Sequence, residues 1–293
     1  KKNLYAHVQF LTELNPARNS MHAESLQKAS GYIADHFAEY GLPVHRQTWM
    51  ADGREYDNVV ARYTSPRPLE GNEARPLLVV GAHYDVAGDQ PGADDNASAV
   101  AGLLETARLL AILKPDLAYD IELVGYCLEE PPFFGGSDMG SYVHAKSLHD
   151  AGIPVKGMIC YEMIGYFSDE PDSQDYPSED LAARYPSTAN FIIVVGIESH
   201  RAFNSRVHRL MSVKADIDVQ LVHFPESHAS AGLAGLSDQR NYWTFGYPAL
   251  MINDTSFIRN PHYHERSDTI DTLDFVKMAA VVSATFQALV NFK

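Results

Sequence analysis

At 293 residues the chain can bury a large core, and its 45% hydrophobic and 21% charged residues are an ordinary globular balance that excludes a disordered polymer. A net charge of −15 argues against nucleic acid and anionic membrane as partners, because both reward basic patches. Two cysteines, Cys127 and Cys160, are too few for a disulfide framework and read as buried thiols.

In chain order, apolar positions recur at helical spacing over 4–15 and 21–40, the second run stopping at Gly41-Leu42-Pro43. The first run lacks the continuous apolar stretch of a secretory signal and reads as an amphipathic helix. The compartment is left open, secretion or the periplasm included, with a signal absent from this chain. No apolar run predicts a membrane span. Strand-like segments follow at 44–50, 56–64 and 76–86, then a Gly/Asp/Asn-rich turn and a strong helix over 97–113. Residues 119–130 read as a strand, 137–152 as a helix, 155–167 as a strand, and the Asp-, Ser- and Pro-rich 168–188 as a loop. A strand at 191–199, a helix at 200–213, strands at 218–226 and 247–255, and a helix from Leu273 to about Phe292 complete the pattern. Apolar strands alternating with helices predict an α/β protein with a largely parallel sheet covered on both faces. With no repeat or linker in view, one domain over 1–293 is the economical reading.

Ligands of open α/β sheets bind beyond the carboxyl ends of the strands. Four predicted strands here end in metal-competent residues: His83-Tyr84-Asp85, the Glu129-Glu130 pair, Glu162, and, through a short loop, His262-Tyr263-His264. Between the first two lies Gly92-Ala93-Asp94-Asp95-Asn96, presenting carboxylates at the start of a helix. A single His-x-Asp means little, since most histidines and acids are solvated or satisfied elsewhere. Adjacent carboxylates closing an apolar strand are more telling, because they repel unless something positive stands between them. Mixed nitrogen and oxygen donors suit zinc, and cobalt or manganese would also fit.

The motifs GAHYD (81–85), PGADDNAS (91–98), Glu129-Glu130 followed by Gly-Gly-Ser (135–137) and NPHYHERSDT (260–269) resemble the zinc aminopeptidases of peptidase family M28, in order and in spacing. That resemblance implies a three-layer α/β sandwich, a mostly parallel mixed sheet flanked by helices in the phosphorylase/hydrolase-like manner of zinc exopeptidases. It also implies two zinc ions. His83 and Glu162 would hold the first, Glu130 and His264 the second, and Asp95 would bridge them. Asp85 would orient His83. Glu129 would take a proton from the metal-bridging water and pass it to the leaving amine. The implied partner is a peptide with a free N-terminus; the oligomeric state stays open.

The chain departs from the family pattern in three places. Glu162 stands where many relatives carry Asp. Ser237-Asp238-Gln239 replaces a Ser-Asp-His pattern. The tyrosine that assists carbonyl polarisation in some members has no counterpart before Ser237, which makes Tyr263 the oxyanion candidate, weighed equally against an ordinary packed aromatic. Arg240 and Tyr242 fall where the family builds substrate pockets, and the acidic loop 168–188 could rim the cleft and favour a free amino group. Competing readings are a single-zinc glutaminyl cyclase, a carboxypeptidase or dipeptidase on the same fold, and a non-enzymatic interaction module. Retention of His83 with Glu162 disfavours the cyclase, and an intact ligand set disfavours the non-enzyme.

Overall fold

Eight strands form where the patterning places them: β1 (Val44–Ala51), β2 (Arg54–Tyr63), β3 (Leu77–His83), β4 (Asp120–Tyr126), β5 (Val155–Glu162), β6 (Phe191–Ile197), β7 (Asp218–Phe224) and β8 (Ala249–Asn253). The computed structural model describes residues 1–68, 74–213, 215–225 and 232–292; the expected end of the seventh strand, Glu226, lies outside them. The sheet order is β1-β2-β4-β3-β5-β8-β6-β7. The central run β4-β3-β5-β8 is parallel, whereas β1 and β2 on one side and β6 against β8 on the other pair antiparallel. The expected mixed sheet is therefore present.

Its central strands are buried on both faces, which is why they read as continuous apolar runs. Successive side chains go to opposite layers. Leu78, Val80 and Ala82 of β3 share one core with residues of α1 (Lys2–Thr12), α2 (Ala23–Glu39), α3 (Ala99–Leu113), α6 (Arg201–Met211) and the last helix, α8 (Phe275–Asn291). Leu77 and Val79 face the other layer, built from α4 (Gly140–Asp150) and α7 (Gln239–Thr244). Two short helices were not anticipated: α7, and α5 (Glu179–Ala182), which Ser178 caps by accepting from the Leu181 amide inside the expected loop.

Three strands stop short of their apolar runs. His83 and Glu162 are the last residues of β3 and β5, and β4 ends at Tyr126. Leu128 (φ 63°) and Met163 (φ 45°) take left-handed backbone there, which ends the pleat and redirects the chain. One further expectation is corrected. The helical stretch Ala93–Leu113 is long and apolar enough to cross a membrane by composition, but most of it is buried in the protein, so core packing accounts for its apolarity.

His7 of α1 tests how tightly that helix is docked. Its Nδ1 meets the Tyr32 hydroxyl at 2.8 Å, its Nε2 is buried without a hydrogen-bond partner among the described residues, and its ring stands edge-on to His36. Burial, reinforced by His36, lowers His7 to about 4. Folded His7 thus resists a proton that the unfolded chain accepts from its ordinary value of 6.5 downward. Stability should be intact above pH 6.5 and fall as the pH drops towards 4, by about 3 kcal/mol over that window. Denaturant titrations at several pH values check this, and His7→Gln should flatten the slope.

Candidate metal centre

Parallel pairing brings the ligand candidates together. β3 lies between β4 and β5, so the residues just past those strands converge beside His83. Asp95 arrives from the irregular turn Ala93–Ser98 that leads into α3, and His264, itself in left-handed backbone (φ 57°), arrives from the loop beyond β8. His83 Nε2 lies 3.4 Å from Asp95 Oδ1 and 3.2 Å from Glu162 Oε2. His264 Nε2 lies 3.0 Å from Asp95 Oδ2 and 3.4 Å from Glu130 Oε2. The two oxygens of Asp95 therefore face two separate donor groups, each with its ligand atoms within 4.8 Å of one another. Glu129 Oε2 is 3.8 Å from His83 Nε2 and lines the same cavity.

Neighbouring side chains hold these groups in place. The Asp85 carboxylate lies 3.5 Å from His83 Nδ1 and accepts from the Glu129 and Glu130 amides at 3.2 and 3.1 Å, so one residue orients the imidazole and folds the Glu-Glu turn. Asp268 accepts from the Asp94 and Asp95 amides at 2.9 and 3.1 Å, fixing the turn that carries Asp95. Ser237 donates to Glu162 Oε2 at 2.5 Å, and Asn253 donates to the Glu162 carbonyl at 2.9 Å. The role of Ser237 was not foreseen. The signal for it was present in the motif carrying Gln239, whose side chain donates to the Ala234 carbonyl and stays out of the cavity lining.

The electrostatics suit a cation. Burial pushes Glu129 and Glu162 up from the usual carboxylate range and Glu130 up to about 7, Glu130 being further raised by Asp95. Burial would raise Asp95 too, yet the close imidazoles of His264 and His83 hold it below that range. His264 Nε2 and Glu130 Oε1 are buried without a hydrogen-bond partner among the described residues. Despite its 3.0 Å approach, His264 Nε2 does not align on Asp95 as a donor, so these atoms converge on a common point more than on each other. Nitrogen and carboxylate donors, crowded and orphaned in this way, fit zinc well.

The centre closes one end of a cavity of about 340 Å³. Its other walls are mostly apolar, with Ile193 and Val195 of β6, Val222 and Phe224 of β7, Met251 of β8, and Tyr176, Leu181 and Tyr185 from 168–188, beside the polar Gln174, Asn253, Thr255 and Ser256. Three expectations are corrected here. The loop 168–188 does rim the cleft, but with Gln174 and these apolar residues, and none of its acids lines the cavity. Tyr242 does not line this cavity: it is fully buried, its hydroxyl bonded to Tyr126 and His144. Arg240 lies over the Phe134 ring, its guanidinium 4.9 Å from the ring centre, and not on the cavity wall. Tyr263 lines the cavity and stacks on His264, ring centres 3.8 Å apart. Both cysteines are buried and free.

A sequence model of Peptidase family M28 matches residues 58–289. The chain is 41% identical to an uncharacterized protein, YfbL, of Escherichia coli, over 98% of this chain and 86% of that protein. It is 29% identical to a probable leucine aminopeptidase 1 of Trichophyton verrucosum, over 69% of this chain. The chain spans about half the length of the curated leucine aminopeptidases it matches. Among solved structures, LapB from Legionella pneumophila superposes with a TM-score of 0.75 at 20% identity, covering 99% of this chain and 71% of that one. Glutaminyl cyclase from Porphyromonas gingivalis superposes with a TM-score of 0.71 at 19% identity, covering 98% and 96%. These likenesses share the fold.

Proposed function

The chain belongs to peptidase family M28, and from that footing we propose that it is a co-catalytic two-zinc aminopeptidase that removes apolar residues from the N-termini of peptides. The observation that supports this most directly is Asp95, whose two oxygens face His83 with Glu162 and His264 with Glu130. Cobalt or manganese would suit the same donors. Bound there, the metal pair would acidify water towards neutral pH and polarise the scissile carbonyl.

The chain's own residues do the rest. Glu129, within the cavity and not needed by either donor triad around Asp95, takes a proton from the attacking water and delivers it to the departing amine. Asp85 keeps the His83 ring turned towards Asp95. Tyr263, beside His264 on the cavity wall, offers a phenol to the developing oxyanion. The apolar chamber receives the first side chain. Burying a leucine-sized group there is worth about 2 kcal/mol, which corresponds to a preference of roughly 30-fold.

A panel of aminoacyl-anilides with zinc restored tests this reading. Leucyl, methionyl and phenylalanyl substrates should be cleaved at least 10-fold better than aspartyl or lysyl ones. N-acetyl-leucyl anilide should be untouched. The likeness to a glutaminyl cyclase favours a second reading, a single-zinc enzyme that cyclises N-terminal glutamine. One zinc per chain together with cyclisation of a glutaminyl peptide would replace the peptidase reading with that one.

A further inference from the structure

Arg18 lies between α1 and α2, ahead of the residues that match the family model, and is 1% exposed. Among the described residues, its side-chain hydrogen bonds all run to main-chain carbonyls. Nε donates to Tyr84 O at 2.8 Å, between His83 and Asp85. One terminal nitrogen donates to Pro91 O at 2.5 Å and to Leu11 O, in the last turn of α1, at 3.1 Å. The other donates to Gly92 O at 2.6 Å. The Val86 amide returns a bond to the Arg18 carbonyl at 3.1 Å. One guanidinium thus ties the segment that carries His83 to the segment that carries Asp95, and docks α1 on both.

The fit is close. Gly92 sits at φ 62°, and a Cβ there would come within 2.9 Å of the Arg18 guanidinium and 2.4 Å of the Asp95 carbonyl. Burial lowers Arg18 only to about 10, so it stays a cation at neutral pH, and the charges of Asp268, Asp95, Asp85 and Glu130 favour that cation. A buried charge hydrogen-bonded only to carbonyls costs stability unless its field is used. Here that field falls on the ligand carboxylates.

We propose that Arg18 is a positioning residue for the metal pair, setting the spacing of His83 and Asp95 through their backbones and placing a fixed positive charge behind the carboxylate cluster. This rests on the two-zinc reading. Lysine keeps the charge but not the planar fork, and methionine keeps neither.

Zinc affinity, measured by chelator competition, and the melting temperature of the zinc-free chain should be compared for the unaltered protein, Arg18→Lys and Arg18→Met. Arg18→Met should bind zinc at least 10-fold more weakly, the scale on which groups behind metal ligands act, and Arg18→Lys should fall between. Activity lost at limiting zinc should return in part when zinc is raised. Folded variants with unchanged zinc affinity and a lowered melting temperature would reduce Arg18 to a packing role and overturn the proposal. Failure of both variants to fold, even with zinc present, would overturn it in the same way. If the unaltered protein itself binds no zinc, the two-zinc reading fails, a result read separately from the Arg18 comparison.

Discussion

Glu129→Gln is expected to lower kcat/KM towards leucyl-anilide by about 10³-fold while leaving the zinc content unchanged. Glu129 and Glu130 are neighbours in sequence but face different tasks. Glu130 turns to His264, whereas Glu129 lines the cavity 3.8 Å from His83. Burial pushes the Glu129 carboxyl well up, so it accepts a proton readily once its surroundings supply one. Glutamine matches its size and hydrogen-bonding reach yet can take no proton, so the loss should fall on kcat more than on KM. Glu130→Gln should differ by losing metal as well as rate. Activity above a tenth of the original in Glu129→Gln, at full zinc content, would remove Glu129 from the general-base role.

The second large effect concerns metal removal. Asp85, Asp95, Glu129, Glu130 and Glu162 are each at most 6% exposed, and five charges packed that way repel unless protons or cations intervene. Stripping the metal should therefore lower the melting temperature by on the order of 10 °C, since each site held at about a thousandfold excess over its Kd contributes about 4 kcal/mol. Zinc should restore it. Asp95→Ala should remove most of the zinc response, because that residue is common to two of the three donor groups, the third being His83 with Glu129 and Glu130. A variant that still bound one zinc with half the original thermal shift would show two independent sites and refute the shared carboxylate.

Much of this was readable before any coordinates. Parallel strands buried on both faces leave an unbroken apolar run, and the polar residue that ends such a run sits where ligands bind. His83, Glu129-Glu130 and Glu162 were legible for that reason. Asp95 and His264 were carried by motif spacing. What escaped depends on distant partners. Tyr242 read as a pocket residue because nothing local shows that Tyr126 and His144 meet its hydroxyl inside the core. The segment 168–188 read as acidic by composition, but which of its side chains turn inward is decided by how it lies over β6 and β7. The ties from Arg18 to Pro91 and Gly92 cross more than seventy positions and leave no periodic trace.

The reversal of direction at β6 has a consequence for how selectivity can change. β6 and β7 run against β8 and present strand side chains to the chamber, with Ile193 level with Asn253 and Val195 level with Met251. In the parallel half of the sheet, His83 and Glu162 stand at strand ends, and Asp95, Glu129, Glu130 and His264 stand on the segments beyond them. Across the chamber the recognition surface is woven into the pleat itself, held by ladder hydrogen bonds on both sides of β6. Exchanging a single side chain at Ile193 or Val195 would recut the wall without moving the backbone, so a new first-residue preference is one substitution away while the metal cage stays intact.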